Sequence, residues 1–210
     1  MKQYQIPNII AGSIASAGIW LFAGFIHSNT IVAISGLLLA SLSISVYAGG
    51  FAALIRITGL SEYKKKLIPF IFAGLLLGTC LGMLYNLLHH EPLIPLPLTL
   101  SAIIAPVVGI VEELVFRGFI QGAVSKTSSW LGIFFASGSH TIYKVLVLWT
   151  FPLELEINLF NLAMLTFSAG LLFGWLRKAS DNIIPPALAH GSFDIAIYGG
   201  LLSLPVWVWG

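Results

Sequence analysis

The sequence predicts an all-α fold, a polytopic transmembrane helical bundle of about seven spans with its N-terminus in the cytoplasm. Three observations predict it. Hydrophobic residues make up 58% of the chain and charged residues 9%, where an ordinary soluble domain carries about 25% charged. Ten basic and eight acidic side chains cannot clothe a soluble surface of 210 residues. The apolar residues gather into seven continuous stretches instead of alternating, which argues for helices and against a β-barrel. Length agrees: about 20 residues cross the hydrocarbon and a span with its loop takes about 30, so the chain holds roughly seven spans and no separate soluble domain. Residues 1–210 are therefore expected to form a single integral membrane domain. The same composition excludes disorder, whose mark is low hydrophobicity with high charge.

The spans follow in order. The first, about Ile9 to Ile26, comes after Lys2. It is long and leads to no small-residue cleavage site before a soluble domain, so it is read as a span and not as a signal peptide. The second runs from about Ile31 to Ile55 and the third from about Leu67 to Leu88. Gly36, Gly74, Gly78 and Gly82 mark close helix packing in these two, because small residues let backbones approach. The fourth, about Leu98 to Val124, carries Glu112, Glu113 and Arg117; the motif-bearing half of the chain begins here and reaches Asp194. The fifth, about Trp130 to Trp149, carries His140 and Lys144. Asn158 and Asn161 cap or glue the start of the sixth, about Leu159 to Leu176. The last starts at Ile183 and extends to Trp209, with Gly199-Gly200 as a break. His89 and His90 are expected in a solvated loop, and Glu154 and Glu156 in an exposed acidic one. Cys80 is the only cysteine, so neither an intrachain disulfide nor a cysteine metal cage can form.

Basic residues orient the bundle. Lys2, Arg56, Lys64, Lys65, Lys66, Lys126, Arg177 and Lys178 all fall on one side of a seven-span arrangement, and the opposite loops hold no Lys or Arg. By the positive-inside rule that side is cytoplasmic. Trp207 and Trp209 then sit near the outer interface, as aromatic belts do.

The other two basic residues, Arg117 and Lys144, lie inside spans, as do Glu112, Glu113 and Asp194. A charge at mid-membrane costs about 2.5–3.5 kcal/mol on insertion scales, so five such charges in a chain otherwise poor in them point to function. Glu113 and Arg117 are four residues apart and share a helix face, as do His140 with Lys144 and His190 with Asp194. Glu112 is turned from Glu113 by about 100°. At ~1.5 Å per residue from the cytoplasmic ends, Glu112 lies ~21 Å deep, His140 ~18 Å, His190 ~12 Å and Asp194 ~18 Å. Helices of alternating direction thus bring carboxylates and imidazoles to similar depth, in a cavity that would open toward the cytoplasm. Lys144 is expected to snorkel or to neutralise a neighbour.

These residues resemble a family. Glu112-Glu113-Leu-Val-Phe-Arg117 is similar to the EExxxR signature of the CPBP intramembrane proteases, the family of CAAX prenyl endopeptidases and bacteriocin-processing proteins. His190-Gly-Ser-Phe-Asp194, entered through Asn182-Ile-Ile-Pro185-Pro186, resembles its third motif, a histidine followed four residues later by Asn or Asp. His140 matches the histidine of its second motif, FxxxH, but Ala136 stands where that motif has phenylalanine, with Phe135 one place earlier. The resemblance covers roughly Leu98 to Asp194.

It implies an intramembrane endopeptidase that hydrolyses a peptide bond of a membrane-associated substrate: a prenylated CAAX tail, or a leader or bacteriocin-type peptide. Its catalytic residues would be Glu112, Glu113, Arg117, His140, His190 and Asp194. Glu112 takes the proton of the attacking water, His140 holds that water, His190 donates to the oxyanion, and Arg117 pairs with Glu113 and holds it rigid. Asp194 cannot donate as Asn would unless it is protonated. No cofactor is favoured and no HExxH is present, although Glu112, His140, His190 and Asp194 offer N and O ligands to zinc. Expected partners are membrane lipid and a membrane-associated peptide or prenylated protein, with no nucleic acid; the expected location is the plasma membrane. Two other classes compete. A proton-coupled transporter would show an internal repeat, and the spans before Leu98 hold no counterpart of the Glu112 region. A non-catalytic membrane scaffold would keep the motifs as structure.

Overall fold

The computed structural model describes residues 7–60, 67–151 and 158–204, and every regular element among them is helical. The helices are α1 (Asn8–Phe25), α2 (Thr30–Ala48), α3 (Phe51–Thr58), α4 (Leu67–Leu88), α5 (Ser101–Glu113), α6 (Gln121–Val124), α7 (Ser129–Trp149), α8 (Leu159–Ser180) and α9 (Ile184–Tyr198). A π-helical segment, Leu114–Ile120, joins α5 to α6, so residues 101–124 form one uninterrupted rod. The predicted all-helical class holds, and the count of seven spans is approximate. Five helices (α1, α2, α4, α7 and α8) are long and apolar enough to cross a membrane. The other two predicted spans are the α5–π–α6 rod, which carries Glu112, Glu113 and Arg117, and α9, whose 15 residues reach only about 22 Å. These two elements carry the candidate site together with α7, which bears His140.

Two boundaries differ from the sequence reading. The second apolar stretch is not one helix: it breaks at Gly49 and Gly50, whose φ angles of 68° and 136° lie where only glycine is unstrained. The remainder becomes α3, a short helix laid against the π segment and α6. The last stretch ends at Tyr198, with Gly199 as its cap, at the break expected there. Lys2, Lys64 to Lys66, Glu154, Glu156, Trp207 and Trp209 lie outside the described residues.

Small residues set the spacing of the bundle. On α1 and α2, Gly18 and Gly36 face each other so closely that a Cβ on Gly18 would stand 2.6 Å from the Gly36 carbonyl oxygen. Gly74, Gly78 and Gly82, buried along one face of α4, let it pack directly on α9. In turn α5 packs on α9, α7 on α8, and α1 on α7. Apolar side chains such as Ile103, Val107 and Val111, one turn apart on α5, remain exposed, as a lipid-facing stripe requires.

The basic end of the bundle is closed and the opposite end is looser. Phe116, Arg117, Phe119, Ile120 and Val124 are at most 1% exposed; a segment buried on every side reads as apolar all round, and this one does apart from Arg117 and Gln121. There α3 is tied to the turn between α8 and α9: Ile183 N donates to Thr58 O at 3.1 Å, Asn182 Nδ2 to Gly59 O at 2.6 Å and Arg177 Nη2 to Ile57 O at 2.8 Å. At the other end α8 buries no residue before Gly170. The α9 terminus is braced by Asn86, whose Nδ2 donates to Ala196 O at 2.8 Å, and by Thr99, whose N donates to Gly199 O at 2.8 Å.

Candidate active site

Four elements converge on one buried cluster: the end of α5, the π segment, the middle of α7 and α9. All six residues singled out from the sequence take part, and all are buried. Glu112 and Glu113 are adjacent in sequence but turn to different partners, as the 100° step between them dictates. Glu112 Oε2 lies 3.1 Å from His140 Nε2, whereas Glu113 Oε1 lies 3.1 Å from His190 Nδ1. Arg117 links the two halves, with Nη1 3.2 Å from Glu113 Oε1 and 3.0 Å from His140 Nδ1. His190 Nε2 closes the circuit, 3.9 Å from Glu112 Oε2 and 3.8 Å from Asp194 Oδ1. The histidine ring centroids are 6.0 Å apart.

These contacts determine tautomers. Arginine has donors only, so His140 Nδ1 accepts from Arg117 and its Nε2 carries the hydrogen donated to Glu112. His190 donates its Nδ1–H to the Glu113 carboxylate, which leaves Nε2 toward Glu112 and Asp194. The Arg117–Glu113 pairing expected from the sequence is present. Arg117 also holds His140, which four-residue spacing along a single helix cannot reveal.

The local sequence explains how so many polar groups fit. The π segment begins directly after Glu112 and Glu113 and contains Arg117, and π turns are frequent at functional sites. Here it places Phe116, Arg117 and Phe119 all inward. Gln121 Nε2 donates to Gly174 O at 2.8 Å and secures the rod beyond it. Gly109 leaves room for the third motif, since a Cβ there would overlap the Asp194 carboxylate and stand 3.0 Å from the His190 ring. Gly170 does the same for Arg117, whose Nη2 would lie 3.0 Å from an added Cβ. Phe116 packs its ring on His140 with centroids 4.5 Å apart.

Two residues belong to the cluster beyond those six. Lys144 Nζ pairs with Glu112 Oε1, so of the two roles expected for it, neutralising a neighbour is the one seen. Its side chain is 21% exposed against 6% for Glu112. Tyr143 was missed: its hydroxyl lies 3.5 Å from Glu112 Oε1. Both stand three or four residues after His140, on its helix face, and that spacing was the available signal. Depth alone also favours a cytoplasmic opening, yet the residues between the cluster and the basic end are tightly packed, and Lys144 lies on the far side of His140 from that end. Counting residues to a helix end measures distance but not what fills it.

Ala136, where the second motif has phenylalanine, is fully buried and packs in one cluster with Ala11, Ala15 and Ile19 of α1. Ser139 Oγ donates to Ser16 Oγ at 2.8 Å across the same contact. The close approach of α1 occupies the space a larger side chain would take.

Zinc does not fit the four ligands considered for it. A zinc ligand needs an unprotonated ring nitrogen, but His140 Nδ1 accepts from Arg117 and its Nε2–H faces Glu112. Among the described residues no group of three or more His, Cys, Asp or Glu is disposed to hold a metal ion.

Residues 94–196 match the family model described as Type II CAAX prenyl endopeptidase Rce1-like. The matched range brackets the Leu98 to Asp194 region of the motif resemblance. No curated protein and no solved structure matches the chain.

Proposed function

We propose that this chain, whose residues 94–196 match the family model of Rce1-like CAAX prenyl endopeptidases, hydrolyses a peptide bond of a membrane-associated substrate with Glu112 as the general base. The observation that carries this reading is the environment of Glu112. It is a buried carboxylate oriented through Oε2 by a histidine whose tautomer is itself set by Arg117.

In the reaction, water is deprotonated by Glu112 as its oxygen adds to the scissile carbonyl carbon. The carbonyl π pair moves onto oxygen. When the tetrahedral intermediate collapses, the C–N bond breaks and the nitrogen takes the proton from Glu112, which returns to its starting state. His140 orients Glu112, replacing the role of water holder expected from the sequence. His190, held by Glu113, turns Nε2 to the space between Glu112 and Asp194, where it accepts a hydrogen bond from the water or the substrate amide. Arg117 and Glu113 position both histidines. The substrate class follows the family: a CAAX-type C-terminal tail or a leader-type peptide, presented at the plasma membrane.

The test is cleavage by protein reconstituted in lipid vesicles, with prenylated and unprenylated peptides. Glu112→Gln keeps the size of the side chain and one of its two acceptor oxygens but cannot take a proton, so kcat should fall by about 10²–10⁴-fold in a protein that still folds. Full cleavage by that variant would remove the proposed base.

A further inference from the structure

We infer that Lys144 supplies the positive charge and hydrogen bond that stabilise the oxyanion of the tetrahedral intermediate, an assignment that rests on the peptidase reading above. It follows from counting the donors in the cluster. His140 has one N–H, directed at Glu112 Oε2, and its other nitrogen accepts from Arg117. His190 directs its Nδ1–H to Glu113. Its Nε2 donates only as an imidazolium, and that hydrogen would then fall between the Glu112 and Asp194 carboxylates, at 3.9 and 3.8 Å. Arg117 is wholly buried behind Glu113 and His140, so no substrate reaches it. Tyr143 has a single hydrogen, which faces Glu112 Oε1. Asp194 as a carboxylate offers none. The expectation that His190 donates to the oxyanion therefore meets a competing demand at each ring nitrogen.

Lys144 is different on three counts. Its ammonium carries three hydrogens, and its pairing with Glu112 Oε1 needs one. Its side chain is the most open of the cluster that can donate, 21% exposed. And it adjoins the oxygen that takes the proton, so a carbonyl attacked by water held on Glu112 places its oxygen within reach of the same nitrogen.

The charge balance supports the assignment. Before reaction the Lys144 ammonium faces the Glu112 carboxylate. As water adds to the carbonyl carbon, its proton goes to Glu112, which becomes neutral, and the carbonyl π electrons become the negative charge on oxygen. One negative charge has moved from carboxylate to oxyanion while the ammonium stays beside both. The ammonium is at no point left without a counter-charge in the membrane interior, where a lone charge costs about 2.5–3.5 kcal/mol on insertion scales. When the C–N bond breaks and the nitrogen takes the proton from Glu112, the original ion pair is restored.

The experiment compares wild type with Lys144→Met, which keeps the stem but has no donor, and Lys144→Arg, which keeps charge and donors. Readouts are kcat, KM and inhibition by a phosphinic peptide, whose tetrahedral anion replaces the scissile amide. Lys144→Met should lose about 10²–10³-fold in kcat, the scale of one oxyanion donor, with little change in KM. The phosphinic peptide should bind weaker by the same factor, and Lys144→Arg should recover at least tenfold in both. If Lys144→Met melts below the assay temperature, Lys144→Gln takes its place, with the same loss expected to smaller extent. A kcat near wild type in the folded variant would overturn the assignment. So would a fall in kcat that leaves phosphinic-peptide affinity intact, since that marks a residue acting only on Glu112. If wild type itself cleaves no peptide and matches Glu112→Gln, the peptidase reading fails; if wild type cleaves and Lys144→Met cleaves equally, only the donor assignment fails.

Discussion

Replacing Gly82 by alanine tests how far the site depends on the approach of α4 to α9. Gly74, Gly78 and Gly82 form one buried face of α4. A Cβ on Gly74 would overlap the Pro185 carbonyl oxygen, and one on Gly78 that of Ala189; one on Gly82 would stand 2.5 Å from the Cβ of Ala196 and 3.1 Å from Phe193 O. Carbon atoms pack at about 3.5–4.0 Å, so the added methyl requires α9 to retreat by about 1 Å at Ala196. That helix cannot simply turn away, because Asn86 holds the Ala196 carbonyl at 2.8 Å. Asp194 is two residues from Ala196, and His190 lies on the same short helix. A displacement of about 1 Å in reacting groups costs on the order of 10²-fold in rate, and overpacking of this kind costs about 1–3 kcal/mol of stability. The assay is kcat and KM on a cleaved peptide beside a thermal melt in detergent, with Gly138→Ala as control. Gly138 lies on α7, two residues before His140, and a Cβ there meets nothing within 4 Å; that variant should keep its activity and gain up to about 1 kcal/mol from helix propensity. A folded Gly82→Ala protein with kcat within threefold of wild type would refute the claim that α4 packing sets the position of α9.

Other predictions follow from single contacts. Ala136→Phe restores the phenylalanine of the second motif but inserts a ring where α1 already packs, so it should lower the melting temperature, by about 1–3 kcal/mol of overpacking, without raising kcat; a more active or more stable variant would show that the departure is not compensated by α1. Reporter fusions at Arg56 and Lys126 should lie in the cytoplasm and one at Glu91 outside, and the reverse would overturn the orientation taken from basic residues.

Much of the site was legible in the sequence because charge is so costly in a membrane. In a soluble protein Glu112, Glu113, Arg117, His140, His190 and Asp194 would stand among many polar residues; here their burial had few ordinary explanations. Helical spacing then paired Glu113 with Arg117 correctly, since four residues on one helix meet whatever surrounds them. It could not assign partners across helices. Which carboxylate faces which histidine, and that Arg117 serves both, depends on the rotation of α5 against α7 and α9.

The composition and the continuous apolar stretches determined by themselves that the chain is a helical membrane bundle, because a backbone in lipid must satisfy its own hydrogen bonds. They also singled out the chemical groups of the candidate site, because an intramembrane charge has to face a partner. The tertiary structure decided what depends on relative placement. Gly49 and Gly50 turn the second apolar stretch into two helices. The π segment carries Phe116, Arg117 and Phe119 inward together. The glycine face of α4 draws α9 close. The contact between Lys144 and Glu112 arises only where α5 and α7 meet. Local periodicity records which face of a helix a residue occupies, and only the packing of all the helices determines what that face meets.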